Sequence, residues 1–180
     1  MEGVPLLKKS IQSLASNLHS ICDSSLLASL YSHIGLDYHY ISNYELAIEY
    51  LEKNLRINEK IADVGQMALA HSNLVLPLLK IGAIDKALKH GQKANCIWQQ
   101  IGYPKGFNDM FWTAQMNYAT ATYEKGKAHY YRSELGQGVN LLHESLNTYR
   151  KIAEIIAADS SLTPAEQKEL TIYNLSLIHI

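Results

Sequence analysis

The side chains able to do chemistry are scattered along this chain, so their spacing decides what they could do. Eight histidines stand at positions 19, 33, 39, 71, 90, 129, 143 and 179. A zinc hydrolase would place two of them one helical turn apart with a carboxylate beside them. No His-Glu-x-x-His occurs, and no pair has ligand spacing with an acidic partner. The histidines are expected at the surface or half-buried, and no metal is expected. Glu45, Glu49 and Glu52 could mimic the paired carboxylates of an acid–base catalyst. Yet Glu49 precedes Lys53, and Glu52 precedes Arg56, by four residues, the favourable order for helical ion pairs. A solvated helix face follows, each pair adding only about a few tenths of a kcal/mol. Gly126-Lys127 and Gly136-Gln137-Gly138 lack the Walker spacing and any preceding strand, so they read as helix-packing and turn glycines. Cys22 and Cys96 have no CxxC, and no serine sits in a nucleophile elbow. Two free thiols are expected, and Cys96, near Trp98 on an apolar stripe, reads as core. No catalytic constellation emerges, and no cofactor is implied.

Composition narrows the remaining classes. Apolar residues make up 47% of the 180 and charged residues 18%, enough for a sizeable core. Four prolines and ten glycines are too few for a many-turned β fold and favour long helices. A net charge of −1 gives no electrostatic case for nucleic acid or an anionic membrane. No eighteen-residue apolar run occurs. Lys8 and Lys9 follow Leu6-Leu7 with no apolar run after them, so the first residues do not read as a secretory signal. A cytoplasmic setting is expected.

The elements behind these residues repeat. Ile21, Ile61 and Ile101 fall forty apart. The same offset aligns Leu7, Ala47 and Ala87, then Leu14, Asn54 and Ala94, and pairs Ile34 with Leu74, Tyr38 with Leu78 and Tyr44 with Ile84. Within a unit the apolar steps are helical: Leu27, Leu30, Tyr31, Ile34 and Tyr38, then Tyr44, Ala47, Ile48, Leu51 and Leu55. Ser42 with Glu45 three residues later fits a capping box opening the second helix. Gly82 makes the matching break in the next unit, with Asp85 in the first turn of the helix that follows. Pro77 falls inside a first helix and should kink it. A third unit aligns Gly138 with Ala47 and Ala87 at steps of 51 and 40, which implies an eleven-residue extension around Gly102–Gly106.

Tyr31, Ile34, Gly35 and Tyr38, followed by Tyr44, Ala47 and Leu51, resemble a tetratricopeptide repeat, with Asn54 departing at its last small position. The second unit departs further, with Val75 at the glycine position and Gly91 at a large one. The resemblance covers about residues 4–157 and implies an all-α solenoid of stacked helical hairpins. Its period of forty resembles the longer-helix arrays of bacterial signalling proteins. Units are expected at about 4–19 (second helix only), 26–58, 66–100 and 108–157, with helices near 108–131 and 134–157 in the last. Thr163-Pro164-Ala165-Glu166 should start another helix over 163–174.

The array would thus fill residues 1–174 and be incomplete at both ends. Leu175–Ile180 resembles the in-frame translation of a transposon end used in preparing sequencing libraries, and is read as an added tail. Repeats bury their faces only against neighbours. The chain is therefore expected to be marginal or to self-associate; a sharp, concentration-independent melt of a monomer would count against that.

The resemblance also implies a function. First helices of such units line a concave groove that holds a peptide or a partner domain. The groove-facing positions would be Ser32, Leu36, His39 and Tyr40 in unit one. Unit two would contribute Ser72, Leu76, Leu79 and Lys80, and unit three Tyr123, Lys127, Tyr130 and Tyr131. The chaperone-binding form of the family clamps a C-terminal carboxylate with Lys and Asn. Ser32 and Leu36 stand at the matching positions, so that specificity is not implied. Alternatives are the regulatory arm of an output enzyme or transcription factor (a diguanylate cyclase, histidine kinase or DNA-binding activator) or a small-peptide sensor.

Overall fold

Four turns of the chain share one backbone conformation. In a computed structural model describing residues 3–16, 21–102, 109–159 and 162–168, Ser42, Ala62, Gly82 and Ser133 all take left-handed φ, at 62°, 55°, 75° and 63°. After each, the next amide reaches back to a carbonyl five residues earlier: Asn43 to Tyr38, Asp63 to Asn58, Ala83 to Leu78, Glu134 to His129. This is the Schellman arrangement, which satisfies orphan carbonyls and stops a helix within one residue. Only Gly82 adopts the conformation without a Cβ penalty. Ser42→Gly and Ser133→Gly should therefore each stabilise the chain by about 0.5–1 kcal/mol. Urea midpoints that fall instead would refute this.

These turns cut the chain into α1 Gly3–Ala15, α2 Ile21–Tyr40, α3 Tyr44–Ile61, α4 Val64–Lys80, α5 Ile84–Ile101, α6 Asp109–Tyr131 and α7 Leu135–Ala158. Hairpins α2–α3, α4–α5 and α6–α7 stack in order, with α1 against α2. α4 runs on through Pro77 to Lys80. The start of α3 differs from the expected box. Asn43, not Ser42, is its cap, and its side chain accepts from the Leu46 amide. Ser42 is already committed to the preceding turn. Thr163 and Glu166 do form a reciprocal box: the Glu166 carboxylate accepts the Thr163 amide at 2.8 Å, and the Thr163 hydroxyl accepts the Glu166 amide at 3.3 Å. Residues 164–168 are helical after it. Residues 17–20, most of the Gly102–Gly106 extension and residues 169–180, with the presumed tail, lie outside the described residues.

The core is a row of clusters rather than one centre. Leu27, Ile34, Tyr38 and Ala47 pack with Ile11 of α1. Leu51, Leu55, Leu74 and Ala87 join the first two hairpins. Ala94, Trp98 and Phe111 join α5 to α6, and Met116, Tyr149 and Ile156 join α6 to α7. Each unit buries its face on the next, as a solenoid requires.

Small residues set how closely helices approach. A Cβ on Gly35 would lie 2.6 Å from Leu51 Cγ and 3.2 Å from the Ala47 carbonyl. Unit three repeats this with Gly126 against Leu142 at 3.0 Å and the Gly138 carbonyl at 3.2 Å. In unit two the sizes are exchanged. Val75 holds the glycine position and Gly91 the leucine position, and Gly91 admits the Tyr118 backbone, which a Cβ would meet at 3.1 Å. The departure at Asn54 also has a reason. Its amide donates to the Ala28 carbonyl at 2.7 Å inside the α2–α3 contact. Ser145, in the same register, donates to the Ala119 carbonyl at 2.8 Å. Ala94 packs near Ala68 with no polar group to satisfy.

Candidate functional site

The first helices α2, α4 and α6 lie side by side and form one face of the array. Polar staples hold them. The Asn117 amide donates to the Ser72 carbonyl at 2.9 Å and to its hydroxyl at 3.0 Å, both buried. The Asn73 amide reaches the Ser32 hydroxyl at 3.5 Å. Ser72 was expected to face a ligand; it is fully buried, because its hydroxyl joins α4 to α6. Ser32 is half-buried and spends its hydroxyl in the same way.

Between α4 and α6 lies a depression of about 310 Å³ lined by Leu76, Leu79, Ile84, Lys80, Thr120 and Glu124. Leu76, Leu79 and Lys80, three of the positions named from the repeat, line this depression together. Ile84, Thr120 and Glu124 complete the wall and were not anticipated. The repeat gave no signal for Glu124, whose register partners His33 and Asn73 were not expected to face the groove. Next along α6, the Lys127 ammonium sits 4.6 Å from the Tyr123 ring and 2.8 Å from Glu124.

On the other flank, His39 stacks obliquely on Tyr44, its ring 5.6 Å away. Burial, and secondarily the Lys80 ammonium, hold His39 below the ordinary imidazole range. It is mainly neutral at pH 7. Leu36 is half-buried nearby on α2. Tyr40 and Tyr131 are each 80% exposed, at equivalent ends of α2 and α6, and Tyr130 packs edge-on against Tyr131. These tyrosines mark the hairpin-turn rim rather than the depression. The arrangement offers an apolar hollow with one cation and one carboxylate at its edge, and aromatic rings beyond.

The Glu49–Lys53 and Glu52–Arg56 pairs form, at 2.5 and 3.7 Å. Lys53 also lies over the Tyr50 ring at 4.6 Å, and Lys8 of α1 over Tyr38 at 5.4 Å. Cys96 was expected in the core and is exposed. α5 buries Ala87, Gly91, Ala94 and Trp98, and a residue two steps from Ala94 points about 200° away. Cys22 is exposed and free as well. The histidines were expected at the surface or half-buried, but His71 is only 3% exposed. His90 on α5 receives it, the two Nδ1 atoms 2.9 Å apart. Among the described residues no three His, Cys, Asp or Glu side chains gather as metal ligands, and no helix is long and apolar enough to cross a membrane. A second hollow, about 630 Å³, lies between α1 and α2 beside Lys9, Ser13, Asp23 and Leu26.

No protein-family model and no curated protein sequence matches the chain. Solved structures do. A TPR-like protein (ct2138) from Chlorobium tepidum TLS aligns with a TM-score of 0.61 at 17% identity, over 88% of this chain and 96% of that one. A putative kinesin light chain with nearly identical TPR-like repeats, from Podospora anserina, aligns with a TM-score of 0.64 at 14% identity, over 99% of this chain and 84% of that one. Stacked hairpins, recurrent Schellman turns and these two likenesses together give the chain the fold of a tetratricopeptide-like α-solenoid.

Proposed function

We propose that this chain is a protein-interaction module that captures a segment of another polypeptide on the face formed by α2, α4 and α6. The observation carrying this reading is the hollow walled by Leu76, Leu79 and Ile84, with Lys80 and Glu124 at its rim. An aliphatic or aromatic anchor would lose water there, while the rim groups hold the polar main chain beside it. Tyr40, Tyr130 and Tyr131 would add rigid contact area at the edge. The forty-residue period supports a role as the regulatory arm of a larger bacterial signalling protein, working in the cytoplasm.

Peptides selected from a displayed library against the intact chain supply the test. Tyr40→Ala combined with Tyr130→Ala should weaken their binding by about tenfold or more, the range of aromatic hot spots. Both rings are exposed, so the urea midpoint should stay put. Unchanged affinity with the fold intact would take the rim tyrosines out of the contact, and unchanged affinity of Lys80→Ala with Glu124→Ala as well would remove the groove assignment.

A further inference from the structure

His71 and His90 close the second hairpin across its seam. Their Nδ1 atoms lie 2.9 Å apart and their rings 5.0 Å apart, so one neutral ring donates its Nδ1–H to the lone pair of the other. The repeat shows what else can stand there. Forty residues earlier the same two positions hold Tyr31 and Tyr50, with ring centroids 6.0 Å apart. Fifty-one residues later they hold Thr122 and Leu141. None of those side chains takes up a proton in acid. Unit two alone places a protonatable pair in the seam.

We propose that the His71–His90 pair is an acid-sensitive latch, holding α5 on α4 at neutral pH and weakening that hold progressively as the pH falls. A first proton would place a charge in a part-buried seam that is closed to solvent on the His71 side. A second would set one N–H against the other across 2.9 Å and abolish the hydrogen bond.

Among the described residues no carboxylate acts on either ring. The charged groups acting on the pair are Lys89 and Lys93, both on α5. α3 meets α4 through Leu51 and Leu55, which carry no charge. α6 meets α5 beside the pair through Tyr118, whose hydroxyl is given to Glu144 of α7. Burial first, then His90 and Lys93, pushes His71 down to about 4; burial, then Lys93 and Lys89, does the same to His90. The unfolded chain takes up these protons near pH 6.5, while the folded chain refuses them until about 4. The stability contributed is therefore complete above 6.5 and lost as pH falls toward 4. Release would reach the face formed by α2, α4 and α6, because the residue after His71 is Ser72, which holds Asn117 of α6.

The latch goes beyond the groove reading and does not depend on it. Urea unfolding of the whole chain at pH 7 and pH 5 tests it in a window above the range where carboxylates protonate. The unfolding equilibrium constant should rise at least about tenfold between these values. His71→Tyr with His90→Tyr, which installs the unit-one pair, should cut that rise to less than about threefold. His143→Gln, on the exposed side of α7, should keep it. Imidazole proton signals of His71 and His90 in the unaltered chain should hold their neutral positions down to pH 5, a readout that stands even if the double variant does not fold. Signals that titrate near 6.5, or an equal acid slope in the double variant, would overturn the latch. So would zinc ions that stabilise the unaltered chain but not the double variant, since the pair would then be a metal site.

Discussion

Gly138→Leu should destabilise the third hairpin by about 3 kcal/mol or more. A Cβ at this position would lie 3.0 Å from the Tyr130 amide nitrogen, 3.1 Å from the Gly126 carbonyl oxygen and 3.3 Å from Tyr130 Cα. All three neighbours are backbone, so no side chain can swing aside. The two longest helices, α6 and α7, would have to separate, opening the contacts of Tyr149, Ile152 and Ile156 with Met116 and Ala119. The loss should exceed the roughly 1 kcal/mol that removing a mid-helix glycine returns. Amide exchange in α7 should speed up more than in α3, because a stacked array transmits strain mainly to neighbours. A urea midpoint matching the unaltered chain would show that the crossing is not as tight as these distances imply.

Exchanging sizes at the α2–α3 crossing should reveal a strong coupling. Gly35→Val alone drives a branched side chain against Leu51, whose Cγ lies 2.6 Å from the new Cβ, and should cost about 2–3 kcal/mol. Leu51→Gly alone empties a fully buried site and puts glycine mid-helix, at about 4–5 kcal/mol. The double variant copies the Val75 and Gly91 arrangement of unit two. It should cost less than the sum of the single changes by about 1–3 kcal/mol. Rescue stays incomplete, because in unit two the space above Gly91 is taken by Tyr118 of the next helix, whereas the same register on α4 holds Met67, which is narrower than a tyrosine ring. A double-mutant cycle in urea measures the coupling, and strict additivity would mean that the two positions do not share space.

Much of the architecture is legible in the sequence. Three-and-four spacing of Leu27, Tyr31, Ile34 and Tyr38 sets a helix face through local geometry alone, and the forty-residue offset repeats it. The box at Thr163 and Glu166 lies within four residues and was legible for the same reason. The errors came where one position changes the outcome. Ser42 and Asn43 are adjacent, and only the turn decided that Asn43 caps α3. Cys96 and Trp98 share an apolar stretch, but two steps around a helix carry a side chain to the other side.

What the sequence determined by itself is the short-range part: which segments are helical, where they turn, and that each hairpin must lean on the next to bury its apolar side. Only the tertiary structure decided which side chains meet across helices. His71 finding His90, Asn117 finding Ser72, and Tyr118 settling on Gly91 link residues nineteen to forty-five positions apart. Periodicity fixes the phase of one helix, but such pairings depend on the relative slide and rotation of two. The change of step from 40 to 51 between units two and three puts that relation beyond the reach of the repeat. The hollow by Leu76, Leu79, Ile84 and Glu124 exists only after that relation is set.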